Sequence, residues 1–291
     1  MMVADEGSSL PSSAKSVSKP APSKELSTRV LSALAMAALA LLTAYQGGWA
    51  FTLFWLAAGI AMMVEWTDMT GVAPRRPVQV ILGLGLAVLT VPLLSGGNLG
   101  VPAAVGFAFA AGGSLLARGT ASKLWSASGF VYAALIVLVP PIVRSHPDLG
   151  ILGLLWMFAV VWATDIAAYF TGRALGGPKL CPAISPKKTW SGFMGGVVAA
   201  ALGGLLVAWS GRQFGLSLPF GLFSIAGLSV VASVASQIGD LGESALKRHC
   251  DVKDSSHLIP GHGGVMDRLD GFWAVCLIVA VVLLSIHFTT A

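Results

Sequence analysis

Charge is what this chain has least of. Asp, Glu, Lys and Arg together make up 11% of its 291 residues, against 55% hydrophobic residues; a water-soluble globular domain carries about 25% charged residues. Its few charges are clustered, leaving long uncharged intervals, so a soluble enzyme is excluded and a polytopic α-helical membrane protein expected. Short alternating strands are lacking too, which excludes a transmembrane barrel. The three Cys (Cys181, Cys250 and Cys276) share no paired spacing, excluding a disulfide framework and a Cys-ligated metal. No Gly-x-x-x-x-Gly-Lys-Ser/Thr loop is present, which disfavours a P-loop ATPase. The net charge of +5 does not point to nucleic acid, because the basic residues gather where anionic lipid headgroups are expected.

What the chain does have is apolar length. Nine runs approach the roughly 20 residues needed to cross a bilayer: 30–46, 49–65, 77–94, 99–117, 124–142, 149–172, 192–210, 219–239 and 271–289. With nine crossings and a cytoplasmic N-terminus, 16 of the 18 Lys and Arg fall on the cytoplasmic side, leaving Arg144 and Arg212 outside. That asymmetry supports the crossing number and the orientation together. Residues 1–28, rich in Ser, Pro, Ala and Lys, read as a flexible cytoplasmic tail. Residues 29–148 form an N-terminal set of spans, and 149–291 a catalytic region with cytoplasmic loops at 173–191 and 240–270. Neither loop is long enough to bury a core of its own. The 35 Gly read as close-packing positions between helices. Trp49, Trp66 and Trp125 fall near span ends and read as interfacial anchors.

The stretch 239–271 gathers six of the 13 acidic residues, four of the 18 Lys and Arg, and three of the five His. So much charge between two membrane spans is costly unless it serves a site at the membrane surface. If helix continues past Gly239, Asp240, Glu243 and Lys247 share one side of it, while Ser244, Arg248 and Asp251 share the next. Ile259 to Gly264 forms a tight turn or loop whose glycines let backbone amides approach an anion. Asp267 and Asp270 then open the last span, three residues apart.

Two further groups precede that stretch. In the sixth span Trp162, Asp165, Tyr169 and Arg173 lie along one helical face, with Asp165 about 10 Å below the helix end. In the loop that follows, Lys179, Lys187 and Lys188 suit phosphate, and Ser185 and Thr189 offer hydroxyl donors, between Pro182 and Pro186, which restrict the backbone. Carboxylates converging from three helix ends (Asp165, Asp240, Asp267 and Asp270) are what a hard divalent cation on phosphate requires. A set of salt bridges tying the helix ends together is the competing reading. His262 either hydrogen-bonds a substrate phosphate or holds its loop. Buried carboxylates would also suit an ion-coupled transporter, but the acids crowd one membrane face beside basic residues and no inverted repeat is evident.

The run Ser244-x-x-Lys247-Arg248-x-x-x-x-Lys253-Asp254-x-Ser256-x-x-Ile259-Pro260-Gly261-His262-Gly263-Gly264-Val265-x-Asp267-Arg268-x-Asp270 resembles the signature of the phosphatidate cytidylyltransferases, or CDP-diacylglycerol synthases. The resemblance extends to Gln237, Gly239-Asp240-Leu241, Glu243, Ser185-Pro186-Lys187-Lys188-Thr189, and Asp165 with Ala168-Tyr169 and Gly172-Arg173. It covers about residues 150 to 289 well. It implies transfer of CMP from CTP to phosphatidic acid, giving CDP-diacylglycerol and pyrophosphate in phospholipid biosynthesis. A Mg²⁺ requirement, a bacterial inner membrane and a homodimer are further implications. By the same resemblance Asp240 and Asp267, with Asp165 and Asp270 nearby, are the metal-centre candidates, and Lys247 and Arg248 belong to the catalytic group. Lys187, Lys188, Lys247, Arg248 and Arg268 contact phosphates, and Ser244 lies near the nucleotide. The chain departs from the pattern at Ser191, where the family usually carries Glu. A related CTP-dependent enzyme acting on an ether phospholipid or a polyprenol is the nearest alternative.

Overall fold

The computed structural model describes residues 22–290. Nine helices follow in order: α1 (Pro22–Gln46), α2 (Gly48–Met69), α3 (Arg75–Ser95), α4 (Gly100–Leu116), α5 (Thr120–Ser145), α6 (Gly150–Leu175), α7 (Trp190–Gln213), α8 (Leu222–His249) and α9 (Met266–Thr290). Between α6 and α7 lies a two-stranded antiparallel hairpin, β1 (Lys179–Cys181) and β2 (Ser185–Thr189). Eight helices are long and apolar enough to cross a membrane, and α4, with 17 residues, is the shorter apolar one. The chain is thus an all-α multi-pass membrane bundle. Most of the expected tail lies outside the described residues; helix is already present from Pro22.

Small residues decide how closely the helices meet. Gly192, Gly196, Ala200, Gly204 and Ala208 recur every fourth residue and form the buried face of α7, which lets its backbone lie against α6 in a solvent that supplies no hydrophobic drive between helices. Hydroxyl and indole groups add bonds across the bundle: Thr164 to Ser233 at 2.8 Å and the Trp156 indole N–H to Ser229 at 2.9 Å.

The core does not respect a boundary at residue 148. Trp55 of α2 stacks on Phe272 of α9 and on Phe158 of α6, at centroid distances of 5.1 and 6.4 Å, and Tyr132 of α5 stacks on Trp273 of α9 at 4.4 Å. The N-terminal spans are therefore built into the wall behind the polar region. Trp66 belongs to this core: it is buried, with its N–H donating to the Trp125 carbonyl at 3.0 Å. Trp49, by contrast, is 72% exposed, as an anchor at the lipid boundary would be.

Arg144, one of the two basic residues expected outside, has a structural duty. Arg144 donates from Nε to the Ala44 carbonyl at 2.7 Å and from Nη2 to the Tyr45 carbonyl at 3.3 Å. Carbonyls in the last turn of a helix have no intrahelical partner, and a guanidinium supplies one. The α1–α2 hairpin, joined through Gly47, is closed this way.

Candidate active site

The polar end of the bundle surrounds one cavity of about 880 Å³, lined from α6 by Asp165, Tyr169 and Arg173, from the hairpin by Lys179, Lys187, Lys188 and Thr189, from α8 by Asp240 and Lys247, and beyond it by Asp254, Asp267, Arg268 and Asp270. Asp165 stands ten residues before the end of α6, about 15 Å at the α-helical rise, so the cavity runs from the hairpin well down along α6. The groups separated in sequence thus meet at one place. Trp162 does not: it stacks on Phe158 instead.

Helix continues ten residues past Gly239, and its i,i+4 geometry sets Lys247 Nζ 2.8 Å from Glu243 Oε2. The same ammonium lies 2.7 Å from Asp267 Oδ1. Asp267 Oδ2 accepts from the Ser255 N–H at 2.9 Å, the Ser255 hydroxyl at 2.9 Å and the Gly264 N–H at 2.8 Å. The Gly264 amide of the glycine loop therefore already holds an anion, supplied by the chain itself. Asp267 is saturated, with a lysine on one oxygen and three donors on the other.

The group best arranged for a cation is Asp240, Glu243 and Asp270, whose ligand oxygens lie within 4.8 Å of one another. Glu243 is 5% exposed. Its Oε2 faces the Lys247 ammonium at 2.8 Å, while Oε1 is buried with no hydrogen-bond partner among the described residues. Buried polar atoms are nearly always satisfied, and a cation held by the three carboxylates would satisfy this one. Glu243 is thus a candidate ligand that the sequence placed on the right face without assigning it.

The hairpin explains the lysine loop. Lys179 pairs with Thr189 and Cys181 with Ser185, and Lys188 turns inward to form an ion pair with Asp240. Thr189 caps α7, its hydroxyl accepting from the Gly192 N–H at 3.2 Å. Ser191 donates to the Gly176 carbonyl and lies 3.0 Å from the Thr189 hydroxyl, so at the position where a carboxylate is usual a hydroxyl ties the hairpin to the end of α6. Ser185, Ser244, Arg248 and His262 are not among the cavity-lining residues. Ser244 reaches Asp240 at 3.5 Å, Arg248 reaches the Val252 carbonyl at 3.5 Å, and His262 Nδ1 lies 2.7 Å from the Ser32 hydroxyl of α1.

The sequence reading missed Glu65. Buried near the end of α2, this carboxylate accepts from the Ser256 hydroxyl at 2.6 Å, the Ser255 hydroxyl at 3.1 Å, the Val265 N–H at 2.9 Å and the Met266 N–H at 2.8 Å. Its only signal was an acid as the last residue of the otherwise apolar run 49–65.

An all-helical membrane bundle with carboxylates and cations facing one cavity defines a class of membrane-embedded enzyme for phosphorylated substrates. Comparison with known proteins is specific. The cytidylyltransferase family matches residues 27–286, and the chain belongs to that family. It is 41% identical to the phosphatidate cytidylyltransferase of Brucella suis over 250 residues, 86% of this chain and 90% of that protein. It is also 45% identical to the Bacillus subtilis phosphatidate cytidylyltransferase over 130 residues, 45% of this chain and 46% of that one. The Haemophilus influenzae phosphatidate cytidylyltransferase is 42% identical over 168 residues, 53% and 57% of the respective chains.

Proposed function

We propose that this chain transfers CMP from CTP to phosphatidic acid, forming CDP-diacylglycerol and pyrophosphate, in a bacterial inner membrane. The observation that carries the reading is the joint lining of one cavity at the polar end of the bundle by carboxylates of α6, α8 and α9 and lysines of the hairpin. Lipid chains can stay in the hydrocarbon while the headgroup phosphate enters this cavity, and CTP enters from the water side.

In the reaction an oxygen of the phosphatidate phosphate bonds to the α-phosphorus of CTP as the bond from that phosphorus to the β-phosphate bridge breaks, and pyrophosphate leaves. The attacking oxygen is already anionic and needs no protein base. Positioning and charge compensation are what remain for the protein to supply. The lining carries Arg173, Lys179, Lys187, Lys188, Lys247 and Arg268 against Asp165, Asp240, Asp254, Asp267 and Asp270, an excess of one positive charge. A phosphomonoester alone carries about −1.5 to −2 at neutral pH, and a triphosphate more. The side chains cannot balance both substrates. A divalent cation would supply the missing positive charge, and the acidic cluster suits one; Mg²⁺ is the assignment oxygen ligands and phosphates favour.

Asp240, Glu243 and Asp270 would hold the ion, with Asp165 deeper along the cavity. Asp267, saturated by Lys247 and the loop, holds the framework from which Asp270 projects. A bound divalent ion would neutralise phosphate oxygens and stabilise the leaving pyrophosphate. Lys187, Lys188 and Arg268 would draw in and orient the phosphates, and Lys188 would leave Asp240 for substrate as the site fills.

The test is purified protein given CTP labelled at the α-phosphate, with phosphatidic acid, an ether-linked phosphatidic acid or a polyprenyl phosphate in separate arms. The reading expects lipid-extractable label with phosphatidic acid. Label appearing only with another lipid, or only in water-soluble CMP, would contradict it.

A further inference from the structure

The irregular loop behind the cavity is held by a residue outside the signature. Until α9 opens at Met266, the segment from Ser255 onward carries no regular strand or helix beyond one isolated bridge, Ile259 with Gly263. Yet it must hold Asp267 and the start of α9 in place. Two carboxylates fix it. Asp267 takes two backbone donors from the segment, Glu65 takes two backbone donors and the Ser256 hydroxyl, and the Ser255 hydroxyl is shared by the two.

We infer that Glu65 is a positioning residue for the cytidylyltransferase reaction: from the N-terminal spans it holds the signature loop and the first turn of α9, and with them the carboxylates of the cavity. The inference rests on the activity proposed above, but its structural half does not. Glu65 is only 4% exposed, and its oxygens accept from the Val265 and Met266 backbone N–H groups and the Ser256 hydroxyl, with the single Ser255 hydroxyl proton shared between Glu65 and Asp267. The two backbone donors belong to the start of α9, where amides lack an intrahelical acceptor and the helix dipole favours negative charge.

The identity of Gly264 follows from the same contact. A Cβ there would stand 2.1 Å from Ser255 Oγ and 2.6 Å from both Glu65 oxygens, closer than real Cβ contacts come, so the bare α-carbon fits the buried acid together with the hydroxyl it accepts from. On its outer side the loop is also touched by α1, through Ser32, which bonds to His262 Nδ1 at 2.7 Å and to the Pro260 carbonyl at 3.2 Å. The segment is held between the first two helices, and the inner contact sits directly behind Asp267.

A residue acting by position differs in its effects from one that only stabilises the bundle. Glu65→Gln keeps the shape of the side chain but replaces one acceptor by a donor that faces other donors. Hydrogen exchange of the full-length protein in detergent is compared for wild type, E65Q and S256A, together with kcat and KM for CTP and for phosphatidic acid. Expected for E65Q is faster amide exchange in the peptide covering 254–266 and unchanged exchange in α6. Expected too is a fall of about 10- to 100-fold in kcat/KM for CTP, the size usual when a supporting partner of a site is removed, with KM for phosphatidic acid unchanged. S256A, which removes one donor and leaves the buried acid intact, should show the same pattern more weakly, and it carries the test if E65Q is not recovered from the membrane.

Wild-type exchange in 254–266 of the variants overturns the proposal. So does faster exchange there with unaltered kcat/KM for CTP, or a uniform loss of active protein with both KM values unchanged. A wild-type protein that makes no CDP-diacylglycerol would defeat the activity reading instead, and the exchange comparison would still decide what Glu65 holds.

Discussion

Lys247 Nζ lies 2.7 Å from Asp267 Oδ1 and 2.8 Å from Glu243 Oε2, so a single ammonium joins the α8 acid to the first turn of α9. The lysine side chain is 13% exposed and the two acids 2% and 4%. Removing one member of such a group strands the others, at a cost of about 3–5 kcal/mol. Lys247→Met should therefore lower the unfolding temperature of the detergent-solubilised protein and abolish CTP-dependent turnover. A K247M protein as stable and as active as wild type would show that the ammonium tie has no role.

Lys188 should behave differently. Its ion pair with Asp240 is about one-third open, with side-chain exposures of 26% and 35%, and such pairs contribute only about 0–1 kcal/mol. Lys188→Ala is expected to leave the unfolding temperature unchanged while raising KM for CTP or phosphatidic acid and lowering kcat, because a phosphate contact is lost. Steady-state kinetics beside a melting curve separates the two effects.

Glycines distinguish tight contacts from open ones. A Cβ at Gly264 meets both Glu65 oxygens at 2.6 Å, whereas a Cβ at Gly112, within α4, meets nothing within 4 Å. Overpacking typically costs about 1–3 kcal/mol, while Ala in place of an open helical Gly gains up to about 1 kcal/mol. Gly264→Ala should lose activity and melt lower; Gly112→Ala should retain activity and melt at the same temperature or higher. Equal behaviour of the two would contradict the loop geometry.

His262 gives the site a mild acid dependence. Partial desolvation, followed by the positive charges of Arg268 and Arg29, holds its imidazole below the usual range, with the Pro260 carbonyl pulling the other way. A folded-state value below the unfolded one means that the unfolded chain binds more protons in acid. The contribution is complete above the unfolded value near 6.5 and is lost as pH falls through the folded one. Wild type should thus lose thermal stability more steeply than His262→Asn on going from about pH 7 to about pH 5.5. Parallel melting curves for the two would contradict the assignment.

Much of this was legible in the chain because lipid imposes long apolar runs: all nine expected spans correspond to helices, and the signature residues Asp240, Lys247, Asp267, Arg268 and Asp270 do face one cavity. Hydropathy marks where lipid ends rather than where helix ends, which is why α8 runs to His249, past the expected 239, and α9 begins at Met266 instead of 271. The hairpin escaped notice because Pro186 and two lysines hide a strand that needs only one partner. Glu65 escaped for another reason. Its partners lie 190 or more residues away, and no local period can announce a contact at that separation. The Asp267 amide shell was hidden likewise, since the loop glycines suit an external phosphate and an internal carboxylate equally well.

The central claim is that carboxylates of separate helices act together on a cation at which nucleotide and lipid phosphates meet. It is tested most directly by pyrophosphate release from CTP, titrated with Mg²⁺ in the presence and absence of phosphatidic acid, for wild type and Asp240→Asn. Release that requires both phosphatidic acid and Mg²⁺ in wild type, and is lost in D240N protein that inserts and melts normally, is the predicted result. Release that needs no divalent cation, or that persists undiminished in D240N, would contradict the account.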